Sequence, residues 1–172
     1  YLEKLTREYG EADEPRPVEA ELAMLGEVEE EEYALGLVLT AVNDMFASEA
    51  QAAGISLEVA TTDCRTRIPA LALMRAVSNL VANAIRHAGA STVAVSVEHD
   101  GGCVITVTDD GCGMDPTMLD QLQQAGRKGE SSDGEGLGLA IVSDLAARHG
   151  FTFTLESASD IGTTARIILP PA

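Results

Sequence analysis

Tryptophan is absent from this chain, and aromatic residues of every kind make up only 3% of its 172 positions. A core without aromatic bulk has to be built from Leu, Val, Ile and Ala. The 45% hydrophobic content is enough for one domain with a proper interior. Long apolar runs are missing too: none approaches the ~20 residues that span a bilayer, and no secretory leader is visible. The chain opens on Tyr1 rather than Met, so it is expected to be a piece of something longer. Positive charge is scarce, with 11 Lys and Arg against 28 Asp and Glu, a net charge of -17. Residues 1 to 35 hold 12 acidic and 3 basic side chains, hence -9, and the remainder holds 16 against 8, hence -8. That balance excludes nucleic acid as a partner, because its binding relies on cationic side chains neutralising phosphates. It equally disfavours anionic membrane surfaces. The three cysteines, Cys64, Cys103 and Cys112, are odd in number and lack CxxC spacing. They are expected to be free thiols in a reducing cytoplasm, forming neither a disulfide framework nor a zinc site.

What is present is punctuated periodicity. Tyr1 to Tyr9 reads as the frayed end of a helix, stopped by Gly10 and Pro15-Arg16-Pro17, and the acidic run Glu27, Glu29 to Glu32 as a solvated face or linker. From about Ala34 to Ala53, Leu35, Val38, Leu39, Val42 and Phe46 recur at helical steps until Gly54. Ile55 to Ala60 alternates as a strand, with Arg65 to Ile68 as a short partner, before Pro69 opens the next helix. After Gly89 the period becomes two: Val93, Val95 and Val97, a turn at Asp100-Gly101-Gly102, then Val104, Ile105 and Val107 up to Asp109. A short helix near Pro116 to Leu122 and a polar, glycine-rich loop at Gln123 to Glu135 follow. A helix from Gly136 to His149 ends at Gly150. Phe151 to Glu156 and Thr163 to Leu169 close the chain as strands. The expected class is α/β, with helices on one face of a mixed sheet.

The helix around Ser78 to Ala88 organises the whole. Met74, Val77, Leu80, Val81, Ala84 and Ile85 form its core stripe. Asn79, Asn83, Arg86 and His87 follow the same steps on another face, so they stack in one row. Two amides are poor helix formers. Together with a guanidinium and an imidazole they suit a bound polyanion and its metal. In Asp109-Asp110-Gly111-Cys112-Gly113, at a strand end, Gly111 and Gly113 allow close approach of a flat ligand, and a carboxylate can accept from an exocyclic amine. The same letters also read as an ordinary Asp-Gly turn. Gly134-Glu135-Gly136-Leu137-Gly138-Leu139 stands before a helix, where unpaired N–H groups make an anion site. It is neither a Walker loop nor a Rossmann fingerprint. A flexible linker is the alternative, and Leu137, Leu139, Ile141 and Val142, which would anchor the segment to a core, weigh against it.

In that order, NLVANAIRHA, DDGCG and GEGLGL resemble the N, G1 and G2 boxes of the ATP-binding domain of sensor histidine kinases, the Bergerat or GHKL fold. His149-Gly150, Glu156-Ser157, Gly162-Thr163 and Leu169-Pro170 resemble that family's C-terminal strands, so the likeness runs from about Ala34 to Leu169. It implies a two-layer α/β sandwich over 34–172, with 1–33 as an acidic linker and the tail of a preceding helical domain. It implies ATP and Mg²⁺ as cofactors, with Asn83 as the metal ligand. Asn79, Asn83 and Arg86 would be the catalytic row, and with His87 they would line the phosphates. Asp109 would receive the adenine amine in a pocket shaped by Gly111, Gly113 and Met114. Gly134, Gly136, Leu137, Gly138 and Leu139 would frame the triphosphate, with Arg127 and Lys128 on a lid near the γ-phosphate.

Two departures bear on this. The family's Phe-x-x-Phe box is missing, since 115–135 contains no Phe, and Leu119 and Leu122 are expected to take over its packing. None of His87, His99 or His149 stands in the helical hairpin that carries the family's phosphoacceptor. His99 reads as a hairpin surface residue and His149 as a helix-terminal cap. The resemblance therefore implies a protein-histidine kinase acting on a separate dimerisation and phosphoacceptor domain, with a response regulator downstream. The fragment would be monomeric and cytoplasmic, and its parent homodimeric, whether soluble or membrane-anchored. The alternatives are a hydrolase of the same fold, as in gyrase, Hsp90 and MutL-like proteins, and a non-catalytic nucleotide-sensing module. The hydrolases place a Glu four residues before the metal-binding Asn. Here that position is Asn79, and an amide cannot accept the proton of an attacking water.

Overall fold

The computed structural model describes residues 31–113 and 135–172, with backbone alone for His87 and residues 135–138. In chain order the elements are β1 (Tyr33–Ala34), α1 (Gly36–Ala52), β2 (Ser56–Val59), β3 (Arg65–Thr66), α2 (Ala70–His87), β4 (Thr92–His99), β5 (Cys103–Asp109), α3 (Glu135–His149), β6 (Thr152–Ala158) and β7 (Gly162–Ile168). Five strands form one sheet in the order β2-β4-β5-β7-β6. β2 runs parallel to β4, and every other neighbouring pair is antiparallel. The sheet is mixed, as expected.

Alternation decides which face is covered. Val93, Val95, Ile105, Val107, Ala165 and Ile167 are buried, whereas Thr92, Ala94, Thr106 and Thr108 between them are only half-buried. The buried set lies under the helices: α1 packs on β2, α2 on β4 and β5, and α3 on β6. α2 also contacts α1 and α3, so it is the central helix of the layer. All six residues of its expected stripe, from Met74 to Ile85, are buried, and Leu73 and Ala76 join them. Fully burying a Leu, Ile or Val contributes about 1.5–3 kcal/mol each. That outweighs the few tenths by which each Asn disfavours a helix. Both helix stops fall where glycine was expected: Gly54 (φ 73) and Gly150 (φ 76) adopt the left-handed conformation that closes α1 and α3.

Two expectations are corrected. The segment at Arg65 does not pair with the strand at Ile55 to Ala60. β3 pairs instead with β1, antiparallel, Tyr33 opposite Thr66, while β2 takes β4 as its parallel neighbour. The two-residue strand β1 is too short to leave a period, and its partner lies across the whole of α1. Secondly, Cys64 and Cys103 are not free thiols: they form a disulfide, and Cys112 alone is unpaired. Parity and CxxC spacing carry no information about two cysteines 39 positions apart that the fold brings together.

The disulfide belongs to a strap around the base of α1. Tyr33 is buried; its hydroxyl donates to the Ile68 carbonyl at 2.6 Å, and burial pushes the phenol above its usual range. The Leu35 N–H donates to the Cys64 carbonyl at 2.9 Å. Glu32 meets both Arg65 and Arg67, at 3.5 and 3.3 Å. Residues 1–30, the acidic run up to Glu30 and the expected helix at 116–122 lie outside the described residues. Among the described residues no helix is long and apolar enough to cross a membrane.

Candidate functional site

Asn79 and Asn83 lie one turn apart on α2, half-buried, on a face turned away from the core stripe. Where α2 ends, the chain folds back under it. The Ala88 carbonyl accepts from the Cys112 N–H at 2.9 Å. A Cβ at Gly111 would stand 2.2 Å from that same Ala88 oxygen, so only glycine lets the turn after β5 press against the end of the helix. The amide row of α2 and the Asp109 turn, far apart in sequence, are thereby brought into one neighbourhood.

A third element completes the cradle. The Asp160 N–H, in the turn between β6 and β7, donates to the Cys112 carbonyl at 2.7 Å. Thr163 stands opposite Asp109 across the β5–β7 ladder. Asp109 accepts from the Gly111 N–H at 2.9 Å and from the backbone of Thr163. Its burial pushes the carboxyl above the usual range. The two N–H groups oppose that shift and the neighbouring Asp110 charge adds to it. A half-buried carboxylate with two backbone donors still has oxygen lone pairs for a ligand N–H. The Thr163 hydroxyl lies 2.8 Å from that of Ser157, which also donates to the Gly162 carbonyl at 3.1 Å. Thr163 and Ser157 are neighbours of this site that the sequence reading assigned only to closing strands. The pairs Glu156-Ser157 and Gly162-Thr163 match the family's closing strands, but that they stand beside Asp109 follows only from β7 lying against β5.

Asp110, the second acid of the motif, does different work. Its Oδ1 accepts from the Ser91 and Thr92 N–H groups at 2.8 and 2.9 Å and so ties the α2–β4 turn to the end of β5. Those donors hold its carboxyl below the usual range. A depressed folded pKa means stability that is present above the unfolded pKa and is lost as pH falls through the folded one. Asp110→Ala is therefore expected to lower Tm at pH 7, and the gap from the unmodified chain should close on acidification below the ordinary carboxylate range. A gap that stays constant with pH in thermal melts would contradict this role.

Arg86 is found with a partner that its sequence neighbours do not suggest. It is exposed, and its Nε and Nη2 donate to Oε1 and Oε2 of Glu49 in the last turn of α1, at 2.7 and 3.1 Å. Gly136, Leu137 and Gly138 stand in the first turn of α3, and Leu139 is buried in the core with Val142. His99 is exposed at the end of β4, and His149 is the last residue of α3. The His87 side chain, Met114, Leu119, Leu122, Arg127, Lys128 and Gly134 lie outside the described residues.

The profile of the family described as histidine kinase-, DNA gyrase B- and HSP90-like ATPase matches residues 69–172, from the start of α2 through β7. The chain belongs to this family. Among its relatives, the signal transduction histidine-protein kinase AfsQ2 of Streptomyces coelicolor is 37% identical over 98 residues, 55% of this chain and 18% of that protein. The mycobacterial sensor histidine kinase MprB, as a solved structure, superposes with a TM-score of 0.66 at 26% identity, covering 83% of this chain and 99% of that one. Full-length ShkA, solved in complex with AMPPNP, gives a TM-score of 0.68 at 25% identity, covering 87% of this chain and 33% of that one. The chain thus spans about a fifth of the length of the curated relatives it matches and nearly all of the solved MprB chain. The architecture is that of the histidine kinase catalytic domains, a Bergerat-fold mixed sheet with its helices on one face, and the family supports ATP binding.

Proposed function

We propose that this chain is the ATP-binding catalytic domain of a two-component sensor histidine kinase, passing the γ-phosphoryl group of ATP to a histidine on a separate helical domain. The observation that carries the choice within the family is Asn79. The half-buried face of α2 beside Asn83 offers an amide where a hydrolase of this fold would hold a carboxylate. Phosphoryl transfer asks mainly for positioning and charge neutralisation, which an amide row with a guanidinium supplies. Asp109 would take the adenine amine, and Gly111 and Gly113 would let the base lie against backbone.

The donor set fits Mg²⁺ held in common with phosphates. Among the described residues no group of three His, Cys, Asp or Glu could hold a metal by itself. A magnesium ion in phosphoryl-transfer sites takes one or two side-chain oxygens and keeps phosphate and water for the rest. Asn83 would contribute its amide oxygen, with Asn79 orienting phosphate beside it; when bound, the ion screens the charge on the β- and γ-phosphates. Asn83→Ala is expected to abolish the Mg²⁺-dependent enhancement of ATP affinity while leaving the circular dichroism spectrum unchanged. An enhancement that survives in the variant would remove Asn83 from the metal site.

The acceptor is a histidine of the parent's dimerisation hairpin, whose ring nitrogen forms the new N–P bond as the bond to the ADP oxygen breaks. A response regulator is the next partner, and the parent is a homodimer. Incubation with γ-labelled ATP and the cognate hairpin tests this directly. Label on the hairpin, stable to alkali and labile to acid, is expected. Robust phosphate release without an acceptor would mean a hydrolase, and ATP binding without transfer to the hairpin would mean a nucleotide-sensing module.

A further inference from the structure

Glu49 is the observation that nothing in the family reading absorbs. It sits in the last turn of α1, between Phe46 and Ala50, which are 5% and 2% exposed, so the backbone that carries it is fixed by the core. Both of its carboxylate oxygens are engaged by one edge of the Arg86 guanidinium, at 2.7 and 3.1 Å. Arg86 follows Asn83 by three residues and Asn79 by seven, so it belongs to the same helical row. The two side chains are 50% and 29% exposed. An exposed pair of this kind adds little to folding stability. Two-point contact does something a lone charge cannot: it fixes the plane of the guanidinium.

We infer that Glu49 is a positioning residue for nucleotide binding, orienting Arg86 beside the amide row so that the terminal phosphates of ATP meet a guanidinium already in place. This rests on the proposed phosphate role of Arg86. An arginine loses much rotamer freedom when a ligand fixes it, and a carboxylate that has already restricted it lowers that cost of binding. A second carboxylate at the rim would by itself repel the phosphates, so the sign of its effect on affinity separates orientation from competition.

The test is calorimetric titration of the 172-residue chain with Mg·AMPPNP and, separately, with AMP, which lacks the terminal phosphates. Glu49→Ala is expected to weaken Mg·AMPPNP about 5- to 10-fold and AMP less than 2-fold, with Tm nearly unchanged. Glu49→Gln, which keeps one acceptor, should fall between. Arg86→Ala should weaken Mg·AMPPNP at least as much, and adding Glu49→Ala to it should have little further effect, because the two act as one unit. Arg86→Lys keeps the charge without the fork, so Glu49→Ala should matter little in that background also. If Glu49→Ala leaves the Mg·AMPPNP affinity unchanged or tightens it while Arg86→Ala weakens it, Glu49 is a bystander or a competitor and the inference is overturned. If Glu49→Ala weakens both ligands alike, its role is structural and the inference is again overturned. If Arg86→Ala changes neither ligand, the phosphate role of Arg86 is the part that fails.

Discussion

Asp109→Asn is expected to weaken ATP binding by about 1.5–3 kcal/mol, roughly 10- to 150-fold in Kd. The size follows from the local geometry. Asp109 is half-buried, and it accepts from the Gly111 and Thr163 backbones while keeping lone pairs for a ligand amine. An asparagine can still accept from Gly111 through its oxygen. Its NH₂ then faces outward and meets the adenine amine donor to donor. The fold should persist, because the Gly111 bond survives, so the loss belongs to the ligand. GTP provides the complementary check: guanine presents a carbonyl where adenine presents its amine, and two acceptors face each other. Titration with both nucleotides decides the point, since equal affinity of the unmodified chain for ATP and GTP would sink the role of Asp109.

Gly162→Ala should be among the most damaging single methyl groups in the described chain. Gly162 has φ 127, where a side chain is strained, and a Cβ there would stand 2.0 Å from the Asp109 carbonyl oxygen. Strain of this kind costs about 1–3 kcal/mol and overpacking against a fixed backbone about 1–3 more, together about 2–6 kcal/mol. β7 can relieve the clash only by moving off β5 at the Asp109–Thr163 rung, which displaces the carboxylate proposed to receive the base. Stability in denaturant and ATP affinity should therefore fall together. Gly54→Ala is the control. That glycine also has positive φ, yet nothing lies within 4 Å of its Cβ position, so about 1–2 kcal/mol of strain is expected with ATP binding unchanged. If the two variants proved equally mild, Gly162 would not be held against the Asp109 backbone.

Much of this molecule was legible because the signals are local. Helical recurrence from Met74 to Ile85 reports a buried stripe whatever the stripe packs against, and the stripe is buried. Gly54 and Gly150 end helices because left-handed backbone is cheap only for glycine. Alternation at Val93, Val95, Ile105 and Val107 marks a one-sided sheet in any register. The order of three motifs was enough to name the family that the chain belongs to.

What the sequence could not decide was who meets whom. β3 finds β1 across the length of α1, and Cys64 finds Cys103 only because β5 lies beneath the strap. Arg86, placed in the amide row by its spacing, takes a carboxylate 37 residues upstream because α1 and α2 pack side by side. Thr163 becomes a neighbour of Asp109 because the sheet order sets β7 against β5 rather than against β4. Periodicity is written within each element, whereas sheet order and helix packing depend on how the chain returns to itself. The amide row, the glycine turns and the acid at the strand end were therefore readable from the sequence alone. Their convergence, and the partner that orients Arg86, exist only in the folded arrangement.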